Sequence, residues 1–160
     1  MLKIGVLGAG HLGKIHIQLL KENSNVFDLI GFYDQNTETA QLVSEKYNIP
    51  SFPNAIELIQ AVDAVLIVTP TNQHFEAALS ALENGKHLFL EKPMVESSSE
   101  ALRLLEVAKD KHLHTQVGFV ERFNPAFLAA AIFRPDQIFF KFYGGFYRSM
   151  LQLFTGILVQ

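Results

Sequence analysis

Short apolar runs alternate with amphipathic stretches from Lys3 to about Phe119, the pattern of strand-helix-strand units laid on a parallel sheet. Lys3 to Leu7 reads as the first strand, and the helix after it carries Leu12, Ile15 and Leu19 on one stripe, predicted to face the sheet. A second strand is expected from Leu29 to Tyr33. Asn36 or Thr37 then caps a helix whose Ala40, Val43 and Tyr47 share a face, and Pro50 and Pro53 mark the connection to a short helix over Ala55 to Gln60. Ala64 to Val68 is an unbroken apolar run of the length of a central strand buried on both faces, ended by Pro70. Phe75, Leu79 and Leu82 form the next helical stripe, Asn84-Gly85 stops that helix, and His87 to Leu90 is the following strand. Ser97 and Glu100 have the spacing of a capping box ahead of a helix packed through Ala101, Leu104, Leu105 and Ala108. A last strand from His114 to Phe119 brings the count to about five or six, which matches a complete doubly wound nucleotide-binding sheet.

The fold class is therefore α/β, with a dinucleotide-binding domain expected over residues 1–125. Residues 126–160 read as something else, because Phe139, Phe140, Phe142, Tyr143, Phe146, Tyr147 and Phe154 crowd together there. Lys141, Gly144, Gly145 and Arg148 interrupt this run, whereas a membrane helix needs about 20 apolar residues. Exposed aromatic surface of this kind marks an interface or an aggregation site, so association through this part, as a homo-oligomer or by aggregation, is expected.

Composition narrows the picture further. A net charge of −3, with Lys and Arg scattered, makes no field to gather a phosphate backbone, so nucleic acid is not an expected partner. Cysteine is absent, which excludes disulfides, thiolate metal sites and a cysteine nucleophile. Met1 to Ile4 leads straight into a strand pattern without a charged leader, so a cytoplasmic protein is expected.

The chemistry is concentrated at the ends of the strands. Gly8-Ala9-Gly10-His11-Leu12-Gly13 follows the first strand directly. At such a turn Gly8 permits the tight bend, Gly10 lets backbone approach a pyrophosphate, and Gly13 lets helix and strand pack closely, while the helix N-terminus offers N–H groups and a positive dipole end. Gly8 to Lys14 also fits the G-x-x-x-x-G-K frame of a nucleoside-triphosphate loop, but the next position should then be a Mg²⁺-binding hydroxyl and is Ile15, assigned here to the buried stripe. Asp34 closes the second strand, where a carboxylate accepts from the adenosine ribose hydroxyls and repels a 2′-phosphate. With no Arg or Lys among Gln35, Asn36 and Thr37, the expected cofactor is NAD, with NADP the alternative. The competing reading of Asp34 is an ordinary helix-capping turn.

Two more segments sit at strand C-terminal ends, Thr69-Pro70-Thr71-Asn72-Gln73-His74 and Glu91-Lys92-Pro93. Together with Gly8 to Gly13, Asp34 and the run Val117-Gly118-Phe119-Val120-Glu121-Arg122-Phe123-Asn124-Pro125, they resemble the glucose-fructose oxidoreductase, inositol dehydrogenase and MocA family over about residues 1–128. The resemblance implies an NAD(P)-dependent oxidoreductase with a Rossmann domain and a second, substrate-binding α/β domain, moving hydride at a CH–OH carbon of a sugar or polyol derivative. It implies that Thr69, Pro70, Asn72 and His74 line the path of the pyrophosphate and nicotinamide ribose, that Glu91 binds that ribose, and that Lys92 faces substrate. An ammonium there would stabilise developing alkoxide charge and help proton transfer, with Pro93 fixing the turn. Arg122 either touches substrate or holds the interdomain joint.

A full-length relative would continue for about another domain beyond Pro125, often supplying an Asp and a His, and residues 133–160 do not match that continuation. Cofactor binding is thus expected to survive better than turnover, and a non-catalytic dinucleotide-binding or sensor protein is the alternative function. His112 and His114 share a predicted strand face, but without a carboxylate partner no metal site is expected. His16 and His87 read as surface or packing residues with no assigned chemistry.

Overall fold

The computed structural model describes residues 1–119 and Pro125. The chain divides into two compact units, Met1–Val117 and Gly118–Gln160, and all the elements below lie in the first. Five strands, β1 (Leu2–Leu7), β2 (Phe27–Tyr33), β3 (Ala64–Ile67), β4 (His87–Leu90) and β5 (Thr115–Val117), alternate with helices α1 (His11–Glu22), α2 (Thr37–Tyr47), α3 (Ala55–Ala61), α4 (His74–Glu83) and α5 (Ser98–Asp110). The strands form one parallel sheet in the order β2-β1-β3-β4-β5.

Ser51 adds a single parallel bridge to Phe32 outside β2, held by Phe32 N–H to Pro50 O (3.1 Å) and Phe52 N–H to Phe32 O (2.8 Å). Prolines at 50 and 53 cannot donate to a ladder, which accounts for a sixth strand reduced to one residue. Counted with that bridge, the order is that of the doubly wound dinucleotide fold, reversing between β1 and β3.

Right-handed crossovers place helices on both faces of such a sheet. α3, α4 and α5 cover one face through a core that includes Leu58, Ala78, Leu82, Leu104 and Val107, closing on Leu7, Val65, Ile67, Leu88 and Leu90 of the sheet. α1 touches α2 and belongs to the opposite face. Two helices are capped as the sequence leads one to expect, Asn36 accepting from Thr39 N–H and Ser97 with Glu100 making a full capping box, and Asn54 caps α3 by accepting from Glu57 N–H.

The helical stripes differ in phase from their expectation. On α1 the buried row is Gly13, His16, Ile17 and Leu20, while Leu12 and Ile15 are 41% and 42% exposed. Gly13 must meet the first turn, which rotates the helix by one residue. A glycine and a histidine hide the true row from an apolar count, and the neighbouring leucine row stands out instead. Likewise α5 buries Leu104, Val107 and Ala108 and leaves Leu105 half exposed at 52%. On α4 the buried row is His74, Ala78, Ala81 and Leu82, with Phe75 and Leu79 partly buried against the same core. β2 starts earlier than expected, at the fully buried Phe27, because Asp28 interrupts the apolar run. β5 is shorter than expected, and His112 lies in the turn after α5 at φ 54° rather than on a strand face with His114.

Candidate functional site at the strand ends

The register aligns the exits of the strands. Leu7 stands opposite both Tyr33 and Ile67, Ile67 opposite Leu90, and Leu90 opposite Val117. The segments that follow, from Gly8, Asp34, Val68 and Glu91, therefore emerge at one edge, where open α/β sheets bind their ligands.

The turn after β1 is built from backbone. Gly8 adopts φ +94°, and a Cβ there would stand 2.8 Å from the Val68 carbonyl oxygen across the switch point. Its N–H donates to Tyr33 O at 2.9 Å. A Cβ at Gly13 would collide with the Gly8 carbonyl oxygen, whereas one at Gly10 would meet nothing within 4 Å. Gly8 and Gly13 thus close the turn upon itself, and Gly10 presents its open side. Gly10 is the N-cap of α1 and supplies no side-chain bond, nor does any acid stand in the first turn. The amides of His11, Leu12 and Gly13 point the same way as the helix dipole, which is where an anion binds. His11 and Leu12 are exposed and Ala9 is buried.

Asp34 grips this turn from β2. Its Oδ2 accepts from Ala9 N–H at 2.7 Å and its Oδ1 from Asn36 N–H at 2.9 Å. The helix cap proper is Asn36, so Asp34 is not used up as one. Each carboxylate oxygen takes one protein donor and keeps capacity for a ligand hydroxyl. Beside it lies a cavity of about 390 Å³ lined by Tyr33, Asp34, Gln35, Thr37, Ala40, Gln41, Ser51, Phe52 and Pro53, within the range of small-molecule sites. Among the described residues no Lys or Arg lines it.

The turns after β3 and β4 are tied together by His74. Pro70 and Asn72 are exposed, with a 3-10 turn over Thr71–Gln73 leading into α4. The His74 ring is buried. Its Nε2 lies 2.8 Å from Thr69 O, and its Nδ1 lies 2.9 Å from Pro93 O and 3.3 Å from Met94 O. The imidazole joins two backbones, so both nitrogens face protein rather than an open path. The Thr69 hydroxyl oxygen is buried without a hydrogen-bond partner among the described residues, an unspent polar atom at the strand end. The Lys92–Pro93 peptide is cis, and both residues are exposed.

Glu91 is buried, against the expectation for a charged side chain. Its Oε1 lies 3.0 Å from His16 Nε2 and its Oε2 accepts from Lys92 N–H at 3.1 Å. Burial alone pushes its acid strength down, but the hydrogen bonds from His16 and from the Lys92 backbone, with the charges of both residues, outweigh it and hold the pKa below the usual carboxylate value. The partner His16 corrects its reading as a surface or packing residue: it lies in the buried row of α1, one turn past Gly13. Ile15, expected in that row, is exposed, although its lack of a side-chain oxygen still argues against a triphosphate loop. His114 N–H donates to His87 Nδ1 at 3.1 Å. Val120 to Asn124, Arg122 among them, lie outside the described residues, as does the aromatic segment.

Among the described residues no helix is long and apolar enough to cross a membrane. A family model described as an oxidoreductase family with an NAD-binding Rossmann fold matches residues 2–119. UDP-N-acetylglucosamine 3-dehydrogenase of Acidithiobacillus ferrooxidans is 38% identical over 125 residues, covering 78% of this chain and 39% of that protein. The NAD(+)-dependent scyllo-inositol 2-dehydrogenase of Bacillus subtilis is 34% identical over 131 residues, covering 80% and 38%. A solved structure of scyllo-inositol dehydrogenase from Lactobacillus casei with bound NAD(H) and scyllo-inositol matches at TM-score 0.75 and 28% identity, over 82% of this chain and 40% of that one. The chain thus spans about four-tenths of the length of the relatives it matches.

Proposed function

Because the chain belongs to the Gfo/Idh/MocA oxidoreductase family and matches its NAD-binding Rossmann part, we propose that it forms the cofactor half of a sugar or polyol dehydrogenase. The observation that carries this reading is the combination of an uncapped α1, open at Gly10, with the Asp34 carboxylate and its cavity at the end of the neighbouring strand. The residues fit a dinucleotide. The α1 amides and Gly10 hold its phosphates, Asp34 accepts from the adenosine ribose, and the cavity takes the adenine end. Thr69, Pro70 and Asn72 border the path toward Glu91 and Lys92.

When bound, the nicotinamide supplies the hydride acceptor or donor. Lys92, exposed at the end of β4, hydrogen-bonds the reacting oxygen of a CH–OH group and moves its proton, stabilising alkoxide character as it develops. The relatives' substrates support a sugar or polyol derivative as the class. A cytoplasmic location and self-association through the part beyond residue 125 belong to the same reading.

Calorimetric titration with NADH and NADPH tests it. We expect NADH to bind with a dissociation constant below about 1 mM and NADPH more weakly, since the 2′-phosphate would meet Asp34. Absence of heat with either dinucleotide at millimolar concentration sinks the reading. Binding without any oxidation of inositols or sugar phosphates by the chain joined to a full-length relative's second domain favours a non-catalytic sensor.

A further inference from the structure

The buried His16–Glu91 pair brings His16, which has no part in the chemistry above, onto the glutamate that borders the cofactor path. Its side chains are 3% and 6% exposed, and the His16 ring stands 5.8 Å, centroid to centroid, from that of Phe89. Enclosing a carboxylate this completely is costly, and replacing such a pair by apolar residues is generally neutral or stabilising. Stability alone therefore does not explain it. What the pair does fix is geometry. Glu91 is an ionised acceptor, so His16 donates from Nε2, and the orientation this imposes turns the second carboxylate oxygen onto the Lys92 N–H. His74 holds the next two carbonyls, those of Pro93 and Met94. α1 and α4 lie on opposite faces of the sheet, so the two imidazoles reach the Glu91-Lys92-Pro93 turn from either side.

We propose that His16 is a positioning residue for Lys92: from the helix that begins at the glycine turn it orients the Glu91 carboxylate, which pins the Lys92 backbone, while His74 clamps the remainder of the same turn. The inference rests on the role given to Lys92 above. It gives the distance between phosphate-binding turn and reacting lysine a physical origin. His16 lies three residues past Gly13, so the helix that receives the pyrophosphate also sets where the lysine stem starts. An exposed lysine with a floating stem would sample many positions, and displacement of a catalytic group by about 1 Å costs on the order of a hundredfold in rate.

The test is amide hydrogen exchange at Lys92 in the whole 160-residue chain, read by NMR without cofactor. His16→Leu is expected to speed exchange at Lys92 about tenfold, the equivalent of one hydrogen bond, while the amides of Val6 and Leu66 stay protected. His16→Gln, whose amide nitrogen reaches the place of Nε2, restores slow exchange. If His16→Leu fails to fold, His16→Asn, polar but too short to reach Oε1, gives the same reading. Unchanged protection of Lys92 in the folded variant overturns the proposal. A second readout separates positioning from general damage: His16→Leu leaves NADH and ADP-ribose bound as in the wild type, because the α1 amides and Asp34 that hold them keep their place. Weaker binding of both ligands overturns the proposal. A wild-type chain that binds neither ligand sinks the cofactor reading instead, and the exchange measurement is independent of that result.

Discussion

The turn after β1 and the turn after β4 solve one problem, presenting chemistry at a strand end, by opposite means. The first is made of backbone: Gly8 curls at positive φ, Gly13 sits against its carbonyl, and Gly10 faces open space. Its support, apart from Asp34 and the Tyr33 carbonyl of β2, comes from within a few residues. The second is made of side chains brought from far away in sequence, with His16 acting across 75 positions on Glu91 and His74 across 19 on Pro93. A ligand with two phosphates needs N–H groups and an absence of side chains. A reacting group needs a long side chain on a fixed stem, which backbone alone does not provide.

Substitution by alanine should separate the two glycine roles most sharply. Gly13→Ala is expected to destabilise by about 3 kcal/mol, because the added methyl meets the backbone carbonyl of Gly8, which cannot rotate away. Gly10→Ala adds its methyl to open space and should leave the melting temperature nearly unchanged while weakening NADH binding at least about tenfold, the methyl standing where the phosphates approach. Thermal melts and titrations of both variants check this. Equal effects on stability would erase the distinction between closing the turn and presenting it.

The corresponding substitution in the second turn is His74→Phe. It keeps a buried ring and removes the contacts to Thr69 O and to Pro93 O, leaving these part-buried carbonyls to be satisfied otherwise. A loss of about 2 kcal/mol in chemical denaturation is expected. A variant as stable as the parent would mean that the β4 turn holds its shape without side-chain ties, and the contrast with the first turn would fail.

How much of this was legible in the sequence follows the same division. The turn geometry of Gly8 and Gly13 was readable because it is local: a glycine pattern at a strand-helix junction states its own geometry. The capping box at Ser97 and Glu100 was readable for the same reason. His16 was not. It sits in a row that an apolar count passes over, and its partner lies three strands away in chain order, so nothing near residue 16 announces a buried acid. His74 was assigned to the cofactor path, yet its nitrogens are spent on backbone carbonyls, a fact set by the pairing of β3 with β4. The bridge at Ser51 was likewise invisible, since two prolines erase the strand pattern around it.

Acid sensitivity sharpens the contrast at its smallest scale, because the second turn contains a titrating group and the first is chiefly amide. Glu91 has its pKa lowered in the fold, burial opposing and the bonds from His16 and Lys92 prevailing. A lowered carboxylate contributes stability above its unfolded value of 4.5, and that contribution is lost as pH falls through the folded value. His87 also titrates: burial foremost, then the charge of His114, lowers its pKa against the pull of Asp63. Its neutral form is the folded one, so its contribution begins to fade already below 6.5. The two overlap in a simple acid melt, and the difference between wild type and Glu91→Gln removes His87 from the comparison. That difference in melting temperature is expected to be constant from neutral pH down to the glutamate range and to shrink below it. A difference that does not change through that range would mean that Glu91 is not held ionised by its partners, and that the β4 turn owes its shape to something other than a buried charge.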